Sequence, residues 1–548
     1  MIYSDNMDNG NSYRHILKWG DKHEESVSHH MAEVIKEKFG LKDEDFSRKH
    51  LPGTEPVMLE KLPVLKPAQV DFFRNIAGAE NVLSDDMSRA RFSCGKFYGE
   101  LLDLRLGLVP DPPDAVVAPR THEEVEKIIS FCSSEGIAVV PAGGLSSVTG
   151  AVRAPGGGIA LDLTKHLNKV LAVSKVNKTV TVQAGMYGPA LEEELNRLGY
   201  SCGHFPQSFE YSTVGGWISA RGAGQASTGY GKIEDMLVSV KAVTPAGVIV
   251  TKDFPRTAQG WDIFRLFAGA EGTLGVITEA TLHVFNYAPE NTASAAFIFR
   301  SFEAAVEAMR TIIQAECGRP HLFRISDPDE TDVAFRTSGL DGTLADRALQ
   351  MLGFKTGSRC LMFVTVEGER DYARFVIRKI KRKARAGKGM YIGTSPVRKW
   401  LEQRYSSAYI RDPLMDLGIM TDTLETAVTW ENLLKVWKEA HAYVSRRPKA
   451  FMMIHISHVY ENGANLYFTF LSPMEKGYEK HDFTTFHRGL VETILEHGGS
   501  ISHHHGVGRV LAPWMEGHLG RSSMELLRAV KKHLDPNNIM NPGGTLGL

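Results

Sequence analysis

The spacing of apolar and polar residues changes along the chain, and the changes predict its domains. Before about residue 110 the pattern is mixed. The segment AEVIKEKFG has helical spacing and ends at a glycine, and prolines interrupt the stretch that follows it. We therefore predict a mainly helical N-terminal region over residues 1–110.

From residue 111 onward, short apolar runs alternate with amphipathic segments. The strand-like run DAVVAP precedes THEEVEKIISFCSSEG, in which Thr121 occupies an N-cap position and apolar residues recur at helical spacing. The runs GIAVVPAGG, GIALDL and TVTVQAG have the pattern of further strands. This alternation predicts an α/β domain, which we place at residues 111–287.

A different order of elements follows over residues 288–500. Two segments, ASAAFIFRSFEAAVEAMRTII and CLMFVTVEGERDYARFVIRKIKRKARA, each combine a strand with a helix. AFMMIHISHVY and ANLYFTFLSP then form a strand pair. The pattern predicts an α+β domain on an antiparallel sheet, followed by a C-terminal segment, residues 501–548, that carries the run SHHHGVGR.

Composition and charge exclude several classes of protein. The net charge of −1 gives no field that would recruit nucleic acid. No apolar run approaches the ~18 residues that a membrane span requires, and the N-terminus lacks the apolar core of a signal peptide. The five cysteines are scattered and form no CxxC pair. We expect an intracellular protein without disulfides.

One basic stretch, RKIKRKARAGK over residues 378–388, stands out against this neutral background. It has two interpretations. A solvated helix face is the more common origin of such a run, and docking on an anionic membrane surface is the other.

The segment VVPAGGLSSVTGAV follows a predicted strand and combines glycines with hydroxyl side chains. Glycines let backbone N–H groups converge on an anion, and such a nest suits a pyrophosphate. An ordinary Gly-Ser turn is the alternative. Neither a dinucleotide GxGxxG in its usual context nor a GK[ST] motif is present. Two further glycine-hydroxyl clusters follow, each beside a strand. Three such segments indicate a phosphate-containing ligand more specifically than one loop does.

These three segments, PAGGLSSVTG, STVGGW and GAEGTLGVITEA, resemble the FAD-binding segments of vanillyl-alcohol-oxidase-like flavoproteins. The resemblance implies a two-subdomain α/β FAD-binding domain with an antiparallel-sheet cap domain. It also implies these cofactor contacts: Pro141, Gly143, Gly144, Ser146, Ser147 and Thr149 near the pyrophosphate, Thr213, Gly215 and Gly216 along the ribityl chain and flavin, and Glu271, Gly272, Thr273, Gly275 and Ile277 on the adenosine side.

Covalent flavin attachment in this superfamily commonly uses a histidine before the first glycine cluster, or a cysteine. Here only Pro141 and Ala142 directly precede Gly143, and His122 lies earlier, near a helix start. We therefore expect non-covalent FAD.

Within the superfamily, 2-hydroxy-acid dehydrogenases bind a divalent metal through HxxDGNLH and GEHGxG motifs. This chain has SHVYENGANLYF and SHHHGVG at the corresponding places. His458 is retained, but Tyr467 and His504 stand where a histidine and a glutamate would be. Three adjacent histidines cannot all face one point in an extended segment. We expect no metal.

SHHHGVG, ANLYF, AYIRD, STVGGW and the N-terminal YRHILKWG together resemble the alkyldihydroxyacetonephosphate synthase family. The resemblance implies a net non-redox exchange of the acyl group of acyl-dihydroxyacetone phosphate for a long-chain fatty alcohol, the step that makes an ether lipid. It also implies a homodimer and peripheral membrane contact. No peroxisomal import signal is visible, so we expect a cytoplasmic, bacterial member.

The same resemblance implies site residues. Tyr467 is the expected base, provided that neighbouring cations lower its pKa from about 10. The triple histidine is expected to supply those cations or to shuttle protons, and His204 to act beside the flavin loop. Arg411 is expected to bind the substrate phosphate through bidentate pairing, with Arg324 as a second binding arginine. The residues of this set are His503, His504, His505, Tyr467, His204, Arg411 and Arg324.

Two other functions stay open at this point. The first is an FAD-dependent dehydrogenase or oxidase of a 2-hydroxy acid on the same fold, against which Tyr467 and His504 argue. The second is a flavin- or lipid-binding protein without turnover, against which the intact tyrosine and histidine set argues. Taken singly, a strand tyrosine is usually a core residue, and a lone histidine run is usually a solvated turn.

Overall fold

The computed structural model describes residues 12–18, 27–47 and 55–547, apart from the side chains of residues 407 and 408. The N-terminal region is mainly helical, as predicted. Trp19 and Gly20 of the YRHILKWG motif lie outside the described residues. The helices of this region are α1 (Tyr13–Leu17), α2 (His29–Phe39), α3 (Pro67–Ala77), α4 (Asp86–Arg91) and α5 (Tyr98–Arg105), and its one strand among the described residues is β1 (Val82–Leu83).

The next region carries two larger sheets and a two-stranded sheet of Tyr200–Ser201 with Phe285–Asn286. Its strands are β2 (Ala115–Val117), β3 (Val139–Ala142), β4 (Ile159–Asp162), β5 (Val170–Ser174), β6 (Thr179–Gln183), β7 (Tyr200–Ser201), β8 (Leu237–Thr244), β9 (Gly247–Val250), β10 (Val276–His283) and β11 (Phe285–Asn286). Its helices are α6 (His122–Glu135), α7 (Gly188–Arg197), α8 (Val214–Ala220), α9 (Ser227–Tyr230) and α10 (Ile233–Met236).

The first sheet has the order β1-β2-β4-β3, and its pairs β2–β4 and β4–β3 are parallel. Strands β2 and β4 are buried throughout, which explains their unbroken apolar runs. The second sheet is antiparallel, with the order β5-β6-β10-β8-β9. Helix α6 begins where predicted, because the Thr121 hydroxyl accepts the N–H of Glu124, and it ends at Gly136 in the left-handed conformation.

The following region is built on one seven-stranded sheet. Its strands are β12 (Ala293–Phe299), β13 (Phe323–Ser326), β14 (Cys360–Val366), β15 (Met390–Gly393), β16 (Ile419–Thr429), β17 (Phe451–Ile456) and β18 (Gly463–Pro473). Its helices are α11 (Phe302–Ile313), α12 (Pro328–Thr337), α13 (Leu344–Met351), α14 (Arg370–Ala386), α15 (Ser395–Gln403), α16 (Arg411–Asp416), α17 (Trp430–Ser445) and α18 (Glu479–Glu496).

The order of this sheet is β15-β12-β14-β13-β17-β18-β16, and its paired strands are antiparallel. The predicted antiparallel cap is therefore confirmed. Alternate residues such as Phe297, Ile454 and Phe468 pack beneath α11, α14, α17 and α18. The opposite face packs on α12 and α15. Because side chains alternate along a strand, Arg324 and Tyr467 lie on that second face.

The C-terminal segment holds α19 (Gly508–Leu511), α20 (Met515–Leu519) and α21 (Arg521–Leu534). It then runs beside β3, where the Val139 N–H donates to the Ile539 carbonyl and the Asn541 N–H donates to the Val139 carbonyl, both at 2.8 Å. The histidine run lies between α18 and α19. The chain therefore passes through this run on its way from the cap sheet back to the first sheet. The domain boundaries at 110, 287 and 500 stay predictions.

The basic stretch belongs to α14 and the turn after it. Ala373, Val376 and Ile380 face the sheet, whereas Arg378, Arg382 and Arg385 are exposed. The helix covers the sheet face opposite to Tyr467. Within the described residues, no helix combines the length and the apolar character needed to cross a membrane.

Candidate active site

A cavity of about 900 Å³ lies between the glycine loops of the first two sheets and the polar face of the cap sheet. The glycine loops form one wall. Arg324, His455 and Tyr467 from the cap sheet line the opposite wall, together with His504 and His505. A cavity of this size, with polar groups converging from two domains, has the form of a small-molecule site.

The first glycine loop is shaped to receive an anion. Leu145 adopts a left-handed conformation with φ of 54°, rare for a residue with a side chain. The Ser147 hydroxyl accepts the N–H groups of Thr149 and Ala151. Within the described part of the chain, the amides of Gly144, Leu145 and Ser146 donate to no protein acceptor. These amides are available to a bound phosphate.

Close approach between the loops explains several of the glycines. A Cβ on Gly143 would collide with the Thr213 hydroxyl, and one on Gly144 would collide with the Tyr211 carbonyl. Gly272 has φ of 76°, and a Cβ there would lie 2.9 Å from the Pro141 ring. The predicted contacts that line the cavity are Pro141, Gly143, Gly144, Ser146, Ser147, Thr213, Gly215, Gly216, Glu271, Gly272, Gly275 and Ile277.

Two predicted cofactor contacts, Thr149 and Thr273, are buried behind the loops and do not line the cavity. The Thr273 hydroxyl donates to the Ala270 carbonyl at 2.7 Å, and the Thr149 carbonyl accepts the N–H of Val510. Both residues shape the loops from behind, and their contact with the cofactor stays a prediction.

The donor set fits FAD. The free amides of the first loop suit the pyrophosphate, and the glycines leave a surface without side chains along the cavity wall. Among the described residues of this wall there is neither a histidine nor a cysteine. His122 is buried elsewhere, with its Nδ1 2.8 Å from the Thr278 hydroxyl. These facts support non-covalent binding.

The histidine loop, residues 502–508, is curved around two buried carboxylates. Glu425 accepts the backbone N–H groups of His503, His504 and His505. Glu271 accepts those of Val507 and Gly508 at 3.1 and 2.8 Å. Glu271, predicted on the adenosine side of the flavin, thus has its carboxylate engaged by the histidine loop.

The three histidines face different directions, as expected for adjacent residues. His504 and His505 line the cavity. His503 is turned away, with its Nε2 2.6 Å from the Tyr460 hydroxyl and its Nδ1 3.0 Å from the Nδ1 of His504. Two of the three imidazoles can therefore reach a substrate directly, and the third reaches it through His504.

Tyr467 does not have the depressed pKa that the sequence interpretation required. Burial is the main reason that the pKa of Tyr467 is raised, to about 12. A hydrogen bond from Thr423 and the charge of Arg411 act against this shift, and the carboxyls of Asp422 and Glu425 act in the same direction as burial. The phenol therefore keeps its proton at neutral pH. With this proton in place, Tyr467 can donate a proton, and it can act as a base only after it has given that proton up.

The histidines do not supply the expected cations either. Burial lowers the pKa of His504 well below its ordinary value, and His505 and Lys232 act in the same direction. Burial also lowers the pKa of His505, although the charge of Glu425 opposes it. Neutral imidazoles are proton acceptors, so this loop offers acceptor groups that a protonated phenol does not. The catalytic roles of Tyr467 and the three histidines stay predictions.

His204 lies one layer behind the cavity wall and does not line it. Its ring is 4.7 Å from the Trp217 ring, and burial lowers its pKa to about 3. Within the described residues, neither ring nitrogen has a hydrogen-bond partner. A Cβ on Gly222, which does line the cavity, would lie 3.5 Å from the Nε2 of His204. Its predicted catalytic role stays a prediction.

Both predicted binding arginines line the cavity. Arg411 is buried at the start of α16, and its guanidinium donates to the Lys96 carbonyl at 2.7 Å. Arg324 forms an ion pair with Glu330 at 2.8 Å. The charge of Arg324, together with His455, holds the pKa of Glu330 at about 2 despite burial. Arg411 is the phosphate candidate that the resemblance favours, and its guanidinium lies buried at the cavity wall.

The N-terminal motif is joined to this arginine through Lys96. The Lys96 ammonium donates to the carbonyls of Ile16, Leu17 and Lys18 at the end of α1. Burial lowers the pKa of Lys96 to about 8. The short helix of the YRHILKWG motif is thereby held beside the residue whose carbonyl orients Arg411.

Sequence reasoning missed Glu425, Glu330 and His455. Glu425 and His455 lie directly opposite Tyr467 on the two neighbouring strands. The His455 ring stacks on that of Tyr467 at 4.7 Å, and its Nδ1 is 3.1 Å from Glu330. Polar residues within the apolar strand segments LETAV and MIHIS were the available signal. Strand pairing across 12 residues for His455 and 42 residues for Glu425 is needed to bring them to Tyr467.

A metal was not expected, and several of the histidine nitrogens that could hold one at the cavity already have partners. His458, His503 and His504 each offer a nitrogen within 4.8 Å of the others. His458 Nδ1 is 2.7 Å from the Ser227 hydroxyl, and both nitrogens of His503 have partners. The expected absence of a metal stays a prediction.

Comparison with known proteins identifies the class. Residues 113–253 match the family described as "FAD binding domain", and residues 288–545 match "FAD linked oxidases, C-terminal domain". The chain is therefore an FAD-dependent flavoprotein enzyme, and FAD is its cofactor.

Individual relatives identify the family more closely. The chain is 33% identical to the alkyldihydroxyacetonephosphate synthase of Dictyostelium discoideum, over 90% of this chain and 85% of that one. It is 31% identical to the Trypanosoma brucei brucei synthase, over 94% and 87%. A solved synthase structure superposes with a TM-score of 0.79 at 29% identity, covering 94% and 92%. The chain belongs to the alkyldihydroxyacetonephosphate synthase family.

Proposed function

We propose that the chain exchanges the acyl group of acyl-dihydroxyacetone phosphate for a long-chain fatty alcohol, giving alkyl-dihydroxyacetone phosphate and a fatty acid without net oxidation. The observation that carries the proposal is the convergence of Tyr467, the histidine loop and Arg411 on a cavity whose other wall is built for FAD. Family membership supports the same reaction.

Arg411 is suited to the phosphate, because a buried guanidinium pairs strongly with a dianion. The apolar side chains of Met31, Val333 and Ala334 also line the cavity and suit an aliphatic chain. This arrangement would place the dihydroxyacetone carbon between the two ends, near Tyr467. Bound FAD would supply the electron-accepting ring that activates this carbon. The oxidation state of the flavin would be the same before and after the exchange.

The proton donors and acceptors of the site match the proton transfers that the exchange requires. The bond between the substrate carbon and the acyl oxygen breaks, and the fatty acid leaves as a carboxylate with the bonding electrons. A bond to the alcohol oxygen forms, and the alcohol loses its proton. The exchange also removes a proton from the substrate carbon and returns one to it, so the alcohol proton is the one released overall. The neutral imidazoles of His504 and His505 are suited to accept the carbon proton and the alcohol proton. The phenol of Tyr467 is suited to return one proton to the carbon and is then reprotonated from an imidazolium.

A redox enzyme on the same fold is the alternative. The two reactions differ in what they consume, so one assay separates them. Purified protein with bound FAD is incubated with palmitoyl-dihydroxyacetone phosphate and hexadecanol, and products are identified by mass spectrometry. Ether product with free palmitate, and without oxygen or acceptor consumption, supports the exchange. Flavin reduction by a 2-hydroxy acid without ether product would instead support a dehydrogenase. If the assay gives neither result, a flavin- or lipid-binding protein without turnover remains.

Membrane contact is part of the proposal, because both substrates carry long chains. Helix α13 supports it, since its outward face is apolar: Leu344 and Met351 are each 84% exposed. Its inward Asp346 is buried in an ion pair with Arg359. Arg359 also pairs with Asp332 of α12, the helix that contributes Val333 and Ala334 to the cavity wall. Such an exposed apolar face beside the cavity suits a lipid surface.

A homodimer in the cytoplasm completes the proposal on the strength of family resemblance. Light scattering on the purified holoenzyme tests the dimer.

A further inference from the structure

Glu425 is a buried carboxylate at the centre of the site. Its side chain is 1% exposed, and it lies opposite Tyr467 in the register of β16 and β18. In the described part of the chain, no lysine or arginine forms an ion pair with it. Burying an uncompensated carboxylate is costly, so the groups that do stabilise it are informative.

Four hydrogen-bond donors from consecutive residues converge on this carboxylate. The Ser502 hydroxyl donates at 2.6 Å, and the backbone N–H groups of His503, His504 and His505 donate at 2.6, 3.2 and 3.0 Å. Successive amides can point at one anion only if the backbone curves around it. The carboxylate therefore determines the conformation in which the histidines are presented.

The same carboxylate influences which ring nitrogen of His504 carries the proton. Its oxygen lies 3.5 Å from the Nδ1 of His504, and a carboxylate favours a proton on the nitrogen that faces it. With the proton on that nitrogen, the Nδ1 of His503 at 3.0 Å is an acceptor. The Nε2 of His503 then carries its proton toward the Tyr460 hydroxyl. One consistent chain of hydrogen bonds thus runs from His504 through His503 to Tyr460, with Glu425 beside its first member.

We propose that Glu425 is the positioning residue of the histidine loop: it fixes the loop's curvature and keeps the proton of His504 on Nδ1, so that Nε2, on the opposite edge of the ring, is the proton acceptor at the cavity. His504 lines the cavity, and its Nε2 forms no hydrogen bond with any residue that the structure describes. Glu425 itself does not line the cavity and acts through the histidines. Only the expected change in kcat rests on the proposed exchange reaction. The curvature of the loop and the tautomer of His504 do not depend on it.

The principal test is Glu425→Gln, which keeps the size of the side chain. The amide removes the charge and turns one acceptor into a donor that faces a backbone N–H. We expect FAD to remain bound, with its absorbance spectrum intact. We expect kcat for ether formation to fall on the order of 10²-fold, as for a misplaced catalytic group, and KM for the phosphorylated substrate to change little.

Asp114 provides a matched control. It is also a buried carboxylate that accepts two backbone amides, from Val64 at 3.0 Å and from Gly158 at 2.8 Å, but it does not line the cavity. Asp114→Asn should lower the melting temperature and leave kcat per bound flavin unchanged. If Glu425→Gln behaves like this control, Glu425 has only a structural role and the proposal is overturned.

A second readout does not depend on turnover. In protein labelled with ¹⁵N-histidine, the His504 signals, assigned by their loss in His504→Asn, should show a protonated Nδ1 in the native chain. A protonated Nε2 would contradict the proposal even if ether is formed. Conversely, a protonated Nδ1 in a chain that forms no ether would leave the inference standing while the proposed function fails.

Ser502→Ala covers the case in which Glu425→Gln does not fold. It removes one donor to the carboxylate and leaves the charge in place. A severalfold fall in kcat with normal FAD content supports the positioning role. An unchanged kcat in this variant contradicts it.

Discussion

The ring of His505 meets the ring of Tyr467 edge to face, with centroids 5.4 Å apart and an angle of 89° between the planes. On its other side Tyr467 stacks on His455. The phenol is therefore flanked by two imidazoles, and the charge of Arg411 also acts on it. Burial raises the pKa of Tyr467 and lowers that of His505, which supports the proposed passage of a proton from substrate to imidazole and from phenol to the substrate carbon.

Replacing Tyr467 with phenylalanine tests the phenol directly. The ring stack with His455 would persist, but the hydroxyl would be lost. We expect FAD content to be unchanged and ether formation to fall by at least ~10²-fold, the lower range for loss of a general acid or base. Tyr391→Phe is the control, since Tyr391 is on β15 and does not line the cavity. Retained activity in Tyr467→Phe would remove the phenol from the mechanism.

Arg411→Ala separates phosphate binding from alcohol binding. Loss of the guanidinium should raise KM for the acyl-dihydroxyacetone phosphate by ~10²-fold, in line with the ~2–3 kcal/mol of a charge-assisted hydrogen bond. KM for hexadecanol should change little. Arg398→Ala, on the exposed face of α15, serves as the control. Equal effects on both substrates would contradict the phosphate assignment.

Metal removal should have no effect on the exchange. Dialysis against a chelator is expected to leave ether formation and FAD content unchanged, because Nδ1 of His458 and both ring nitrogens of His503 already have partners. Elemental analysis of the purified protein should show no stoichiometric zinc. One zinc per chain, with activity lost on chelation and restored by zinc, would instead make His458, His503 and His504 ligands.

The outward face of α13 predicts binding to lipid surfaces. Leu344→Glu combined with Met351→Glu should weaken co-flotation of the holoenzyme with vesicles that contain anionic lipid. Activity toward a detergent-dispersed substrate should be retained, because neither residue lines the cavity. Arg378→Glu with Arg382→Glu tests the basic helix α14 on the other side of the sheet. If only the α14 variant loses vesicle binding, or if the α13 variant merely changes the oligomeric state, the assignment of α13 is wrong.

The sequence predicted the fold well, because its signals are local. Alternating runs such as TVTVQ and the N-cap at Thr121 specify strands and helices without reference to the rest of the chain. Most of the residues that the resemblance names line the cavity, although Thr149, Thr273, His204 and His503 do not. Electrostatics could not be predicted in this way. The direction of the Tyr467 pKa depends on how deeply the phenol is buried and on Asp422 and Glu425, which only the strand register brings near it.

The buried histidines predict a loss of stability in mild acid. Burial lowers the pKa of His487 to about 4 from an ordinary value of 6.5, so the folded state resists a proton that the unfolded chain accepts. Stability from this residue is full above pH 6.5 and falls by about 1.4 kcal/mol per pH unit between pH 6.5 and 4. The melting temperature should therefore drop over that interval. His487→Gln should reduce the slope, whereas His283→Gln, at an exposed position, should not. Equal slopes for all three proteins would show that His487 does not contribute.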